Sequence, residues 1–235
     1  GVNLQDIADA LPKAEAARRK IARINSQVEV TAIVDDVNYD NIERFADGAN
    51  IIIDGLDNFE TRYLANDCAV KHGLPYLYGG AVGTVGMTFP VLPHTAGGTA
   101  EWERLASGSR ASPCFRCLFE EAPPPGSSPT CDTAGVIGPA VAIIANFQVS
   151  EALKILTGNF AQVSTTMLNI DLWSNSITQL KVAGARGRRL PGVQTPPVSV
   201  PRRQRRFPQC QPVRARCSAA DAPAACRSFR FRGAC

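Results

Sequence analysis

Histidine is scarce in this chain of 235 residues. There are two, His72 and His94, with no motif around either, so histidine-based catalysis is poorly supported. No apolar run reaches the roughly 18–20 residues that a membrane span requires. A basic segment leading into an apolar stretch, the mark of a secretory leader, is also missing, and a cytoplasmic enzyme is the expectation. No GxGxxG follows a strand-like run, which argues against a nicotinamide-dependent dehydrogenase. One CxxC is present and no second, whereas a structural zinc needs four ligands.

What the chain does have is ordinary for a globular protein, at 45% hydrophobic and 20% charged residues, and it is long enough for one sizeable core. Its charge is unevenly spread. Residues 184–235 carry 12 arginines against one acidic residue, Asp221, while residues 1–183 hold 13 basic and 20 acidic side chains. Such a tail could meet nucleic acid through its arginines, or it could be a disordered end.

Periodicity gives the elements. Ala10, Ala14, Ala17, Ile21 and Ile24 space out a helix, and the β-branched run at 28–34 reads as a strand. A short helix over 39–46 is followed by the apolar run at 50–58, which ends on polar residues as a buried parallel strand does at its C-terminal edge. A helix over 61–71 and a strand over 75–80 complete a β–α alternation. Residues 83–93 read as an antiparallel strand, and 94–134 as a long Gly/Pro/Ser-rich crossover loop. Residues 136–157 form the most apolar helix, and 166–173 with 176–182 form a hairpin. The expected fold class is α/β: a Rossmann-like, doubly wound, mostly parallel sheet with an antiparallel extension. From Gly184 onward no helix or strand is legible.

Four places could carry chemistry. In DGLDNFETR (54–62), Asp57 stands where a parallel strand ends, the edge at which α/β sheets bind ligands, and could hold a hydrated Mg²⁺. It could equally be a loop carboxylate that caps the following helix together with Asn58. Cys114 and Cys117 have the spacing of half a zinc site, and a redox role lacks the flanking strand it would want. Cys131 lies just before the apolar helix, where a sulfur-carrying thiol and an inert loop cysteine are both open readings. Lys13, near a helix start, could reach a phosphate or be a plain surface lysine.

The order of these signals is more specific than any one of them. LPKAEAA, DGLDNFETRYLAND, PYLYGGAVGTVGM, PCFRCLFEEAPPPG and PTCDTAGVIGPAVAIIANFQVSEALKILTG follow one another in a way that resembles the ThiF/MoeB/HesA family of E1-like activating enzymes, over about residues 5–183. The resemblance implies ATP-dependent adenylylation of the C-terminal Gly-Gly carboxylate of a small ubiquitin-like sulfur carrier, for thiamine or molybdopterin synthesis. It implies that Lys13 neutralises the triphosphate and that Asp57 and Asn58 belong to the Mg²⁺/ATP site. It implies further that Cys114 and Cys117 are the first pair of a Cys₄ zinc site, that Cys131 takes part in sulfur transfer, and that the protein is a homodimer.

The chain also departs from that family. The Gly-rich phosphate loop and its β–α unit would lie upstream of Gly1, so 1–183 is expected to be an adenylation domain lacking that unit. A catalytically inactive docking or dimerisation module is the alternative. The family's second CPxC would follow the 176–182 strand, where GARGRRLPGVQTPPVSVPRR (184–203) stands instead. GC-rich codons for Arg186–Arg203 can be written so that the frame one base later carries two cysteines at that spacing. A frameshift near Ala185 is therefore the expected origin of the tail, and nucleic acid is not an expected partner.

Overall fold

The computed structural model describes residues 3–93, 102, 112–122, 131–182, 185 and 231–234. Two compact units emerge: residues 1–37 with 193–235, and residues 38–192.

The first unit holds α1 (Leu4–Ala8), α2 (Lys13–Ile24), β1 (Val30–Ile33) and β7 (Phe231–Ala234). Asn3 and Asp6 form a capping box that starts α1. Pro12 stands at the N-cap of α2, where a missing N–H costs little, and α2 buries Ala14 and Ala16. On the outer side of α2, Glu15 bridges Arg18 and Arg19 at 2.6 and 3.1 Å. β1 pairs in parallel with β7, from Val30 opposite Phe231 to Ile33 opposite Ala234. A strand thus stands inside a segment where the sequence offers no regular element; the rest of 184–235, apart from Ala185, lies outside the described residues.

The second unit is built on a five-stranded sheet in the order β2 (Ile52–Ile53), β3 (Tyr76–Val82), β4 (Val85–Val91), β5 (Thr166–Asp171) and β6 (Ser176–Lys181). β2 and β3 are parallel, and the three remaining pairings are antiparallel. The α/β class and the antiparallel extension agree with the sequence reading. The balance differs, because parallel pairing in this sheet is confined to β2–β3. The apolar run at 50–58 yields only two strand residues, since Asp54 folds its side chain back onto the backbone and begins a turn. α3 (Ile42–Ala46) and α4 (Phe59–His72) flank β2 in sequence, and α5 (Phe115–Leu118) and α6 (Cys131–Ala134) precede the long α7 (Gly138–Leu156).

Period-two alternation along β3 sorts the core into two layers. Tyr76 and Tyr78 point to one face, with Phe89, Val91, Phe115, Ala65 and Ala69 packed beside them from β4, α5 and α4. Leu77 points to the other, with Ala152 and Ile155 of α7 and with Leu92, Trp102, Phe160 and Val163. α7 can lie this close to the sheet because β3 and β4 present glycine to it. A Cβ on Gly79 would stand 2.5 Å from the Gln148 amide, and one on Gly86 would stand 2.4 Å from Ile144 Cγ1. α7 is long and apolar enough to cross a membrane by length and composition. In this fold it packs its Ala140, Ile144, Gln148, Ala152 and Ile155 face inward.

Candidate active site

The site begins where β2 stops. Asp54 is 3% exposed, and its two carboxylate oxygens do different jobs. Oδ1 accepts the backbone N–H of Leu56 at 2.7 Å, closing a turn two residues long. Oδ2 accepts Nε of Arg62 at 3.1 Å and the hydroxyl of Tyr76 at 2.9 Å. Arg62, in the first turns of α4 and 7% exposed, also donates through Nη2 to the carbonyls of Leu56 and, at 3.2 Å, Gly79. Its guanidinium carbon sits 5.4 Å from the centroid of the Tyr78 ring. From the other layer, Gln148 of α7 donates Nε2 to the carbonyls of Asp54 (2.8 Å) and Leu77 (2.9 Å). A buried charge is tolerable when its hydrogen-bonding capacity is filled, and here it is. Burial still lifts the Asp54 carboxyl above the ordinary carboxylate range, against the opposing pull of Arg62, the Leu56 N–H and the Tyr76 hydroxyl.

This framework delivers Asp57 and Asn58 to the surface, and both are exposed. Asn58 is the N-cap of α4: its Oδ1 accepts the Thr61 N–H at 2.8 Å, and its Nδ2 donates to Asp57 Oδ1 at 3.2 Å. Of the two readings of DGLDN, the structure bears on the capping one: the side chain of Asn58, and not that of Asp57, caps α4. Asn58 caps the helix, and Asp57 is left as a solvent-facing carboxylate with oxygen lone pairs free for a hard cation. A helix N-terminus beside it favours anionic groups. Lys13 is exposed and is the first residue of α2, in the first compact unit, whereas Asp57 belongs to the second.

A second constellation sits farther along the same helix. Cys114 caps α5, and its Sγ lies 3.5 Å from that of Cys117. Two thiolates sharing one tetrahedral zinc at about 2.3 Å each would be roughly 3.8 Å apart, so the pair fits as two adjacent ligands. Among the described residues no group of three or more His, Cys, Asp or Glu could hold a metal, so the other two ligands of a Cys₄ site are not found there. α4 pins the turn. Asn66 Oδ1 accepts the Phe115 N–H at 2.7 Å, and Asp67 takes Arg116 in a two-pronged ion pair, both prongs at 2.7 Å. Arg116 in turn lies over the Tyr63 ring, 4.5 Å from its centroid, and the Tyr63 hydroxyl donates to Phe119 O at 3.0 Å. Burial and the neighbouring Cys117 raise the Cys114 thiol, against the pull of the Cys117 and Arg116 backbone N–H groups. Cys131 opens α6 shortly before α7, and its side chain lies outside the described residues.

Sequence reasoning named Asp57, Asn58, Cys114 and Cys117 but missed the residues that hold them: Arg62, Tyr76, Gln148, Asn66 and Asp67. One signal was available for Arg62. It shares a helix face with Ala65, Asn66 and Ala69, all buried, so an arginine in that line has to find an acceptor inside.

The model of the ThiF family matches residues 3–189. The chain belongs to the ThiF family. It is 44% identical over 178 residues to the sulfur carrier protein ThiS adenylyltransferase of Bacillus subtilis, which covers 76% of this chain and 47% of that relative. It is 32% identical over 171 residues to the sulfur carrier protein adenylyltransferase of Thermus thermophilus, covering 73% and 59%. The chain therefore spans about half the length of the curated relatives it matches. Among solved structures, E. coli MccB with MccA-N7isoAsn superposes with a TM-score of 0.56 at 16% identity, covering 73% of this chain and 49% of that one. MccB with ATP gives 0.53 at 14%, covering 74% and 50%. At such identities the likeness is one of fold, and it agrees with the Rossmann-like E1 architecture that the ThiF family implies.

Proposed function

We propose that this ThiF-family chain serves ATP-dependent adenylylation of the C-terminal Gly-Gly carboxylate of a small ubiquitin-like sulfur carrier. The observation that carries the reading is the exposed Asp57 carboxylate beside the N-terminus of α4, just after the turn that buried Asp54 closes at the end of β2 through the Leu56 N–H. In the reaction a carrier carboxylate oxygen attacks the α-phosphorus of ATP. A P–O bond forms, the bond to the β-phosphate bridging oxygen breaks, and pyrophosphate leaves with that electron pair. A weak nucleophile meeting a polyanion needs alignment and charge neutralisation above all.

Asp57 would hold the Mg²⁺, which supplies that neutralisation when bound. Asn58, whose Nδ2 donates to Asp57 Oδ1 at 3.2 Å, would hold that carboxylate in place, and Lys13 is the proposed partner of the triphosphate. Cys114 and Cys117 would hold Zn²⁺ as two of its ligands, and Cys131 is the proposed thiol for sulfur transfer. The 44% identity to a ThiS adenylyltransferase supports a ThiS-like carrier of the thiamine pathway over a molybdopterin one, and a cytoplasmic setting goes with that chemistry.

The test is pyrophosphate exchange into ATP with a Gly-Gly-ended ThiS-like carrier. Exchange that falls at least tenfold but stays measurable in Asp57→Asn, and that disappears with a carrier lacking its last glycine, supports the reading; its absence from the unaltered chain refutes it.

A second reading, a docking or dimerisation module without catalysis, is favoured by one observation. On the outer side of α7, Val149 and Leu153, one turn apart, are 50% and 58% exposed. A homodimer covering that stripe is proposed, and light scattering of Val149→Glu and Leu153→Glu against the unaltered chain decides it. The break in composition at 184 is likewise proposed to be a frameshift. Sequencing the coding DNA tests it: if no single-base shift restores two cysteines near 190, the idea is wrong.

A further inference from the structure

Arg62 has more partners than a structural ion pair needs. One bond, Nε to Asp54 Oδ2 at 3.1 Å, would neutralise the buried charge. Nη2 goes on to the Gly79 carbonyl at 3.2 Å on β3 and to the Leu56 carbonyl in the turn after β2. Leu56 is consequently held at both ends of its backbone, its N–H by Asp54 Oδ1 at 2.7 Å and its C=O by Arg62. The next residue in the chain is Asp57. Asp57 thus follows a peptide that is tied down, and its own Oδ1 takes the Asn58 amide at 3.2 Å. Only a guanidinium can serve acceptors in these directions from one buried side chain; an ammonium on a flexible stem keeps the charge but not the fork.

We propose that Arg62 is a positioning residue of the ThiF-type site, acting through the Leu56 turn to fix the Asp57 carboxylate where a metal–triphosphate would be met. The inference rests on the adenylylation reading for its function, but its geometry can be tested without activity.

Amide hydrogen exchange of the unaltered chain and of Arg62→Lys is the first arm. The expected result is a tenfold or greater acceleration at Leu56 and Thr61, with the β3–β4 amides still protected. If all amides accelerate together, Arg62 is merely structural; if none does, the turn does not depend on it. Either outcome overturns the proposal. Should Arg62→Lys fail to fold, the neutral double variant Asp54→Asn/Arg62→Gln leaves no unpaired buried charge, and the same amides are read in it.

The second arm is a double-mutant cycle in pyrophosphate exchange. Arg62→Lys alone is expected to cost tenfold or more, and less than twofold in an Asp57→Asn background. Equal losses in both backgrounds overturn the proposal. An unaltered chain that shows no exchange refutes the adenylylation reading instead, and the first arm still judges Arg62.

Discussion

Gly79 on β3 and Gln148 on α7 occupy one another's space: the site of a glycine Cβ lies 2.5 Å from the glutamine amide, which itself bonds the Asp54 and Leu77 carbonyls. The absent side chain is what allows a helix residue to reach the Asp54 carbonyl just after β2 and the Leu77 carbonyl of β3. Gly79→Ala is therefore expected to destabilise the second unit by about 1–3 kcal/mol, as overpacking does. In Gly79→Ala/Gln148→Ala the steric cost is relieved, so urea denaturation should show the double variant less damaged than the sum of the two single ones. Strict additivity would mean that the two residues do not contend for that space.

How much of this was open to sequence reading depends on the range of the interaction. The 166–182 hairpin and the α7 segment showed themselves through two strand-like runs about a polar turn and through a predominantly apolar stretch, and both are present close to the expected bounds. Asp57 and Asn58 were legible because a strand end followed by a capping residue is a local pattern. The 50–58 run was read as longer strand than it is. Its end is set by Asp54, whose partners Arg62, Tyr76 and Gln148 lie 8, 22 and 94 residues away. β7 was illegible for a related reason: Phe231–Ala234 has no alternation of its own and is a strand only because β1 pairs with it.

Cys68 gives a pH dependence with a defined sign. It is 5% exposed on α4, and burial pushes its thiol up to about 11. An unfolded cysteine ionises near about 8.5. The folded state thus disfavours the thiolate, so this contribution to stability is whole below about pH 8.5 and is lost as pH rises through about 11. In Cys68→Ala the urea midpoint should fall less than in the unaltered protein across that window. The buried tyrosines Tyr76 and Tyr78 are also raised by burial, but they titrate in both proteins and cancel in the difference. Parallel curves would show that Cys68 is not the group responsible.

The cysteine pair should bind metal in a way that reports the proton on Cys114. Because burial and Cys117 raise that thiol, uptake has to expel a proton and should strengthen as pH rises from about 6 to 8. Cadmium is a convenient probe, since its thiolate absorption counts sulfur ligands. Cys114→Ser and Cys117→Ser should each remove the part of the signal due to this pair, whatever the other cysteines contribute. Asp67→Asn, which loosens the two-pronged hold on Arg116, should weaken binding and keep the absorption maximum. A signal untouched by both serine variants would place the metal elsewhere.

Asn58 separates capping from chemistry, because its two amide ends serve different partners. Oδ1 takes the Thr61 N–H and starts α4, while Nδ2 holds Asp57. Asn58→Ala loses both and is expected to cost about 1 kcal/mol of stability, the usual loss for an N-cap. Asn58→Asp keeps a capping oxygen at the positive end of the helix, so its stability should stay within about 0.5 kcal/mol of the unaltered protein. It nevertheless replaces a donor to Asp57 with a second carboxylate, and like charges at that spacing push Asp57 away from its position. Pyrophosphate exchange should then fall at least tenfold in Asn58→Asp while the urea midpoint hardly moves. If the two quantities moved together, Asn58 would be a cap and nothing more, and the orientation of the Asp57 carboxylate would have to come from the Leu56 turn alone.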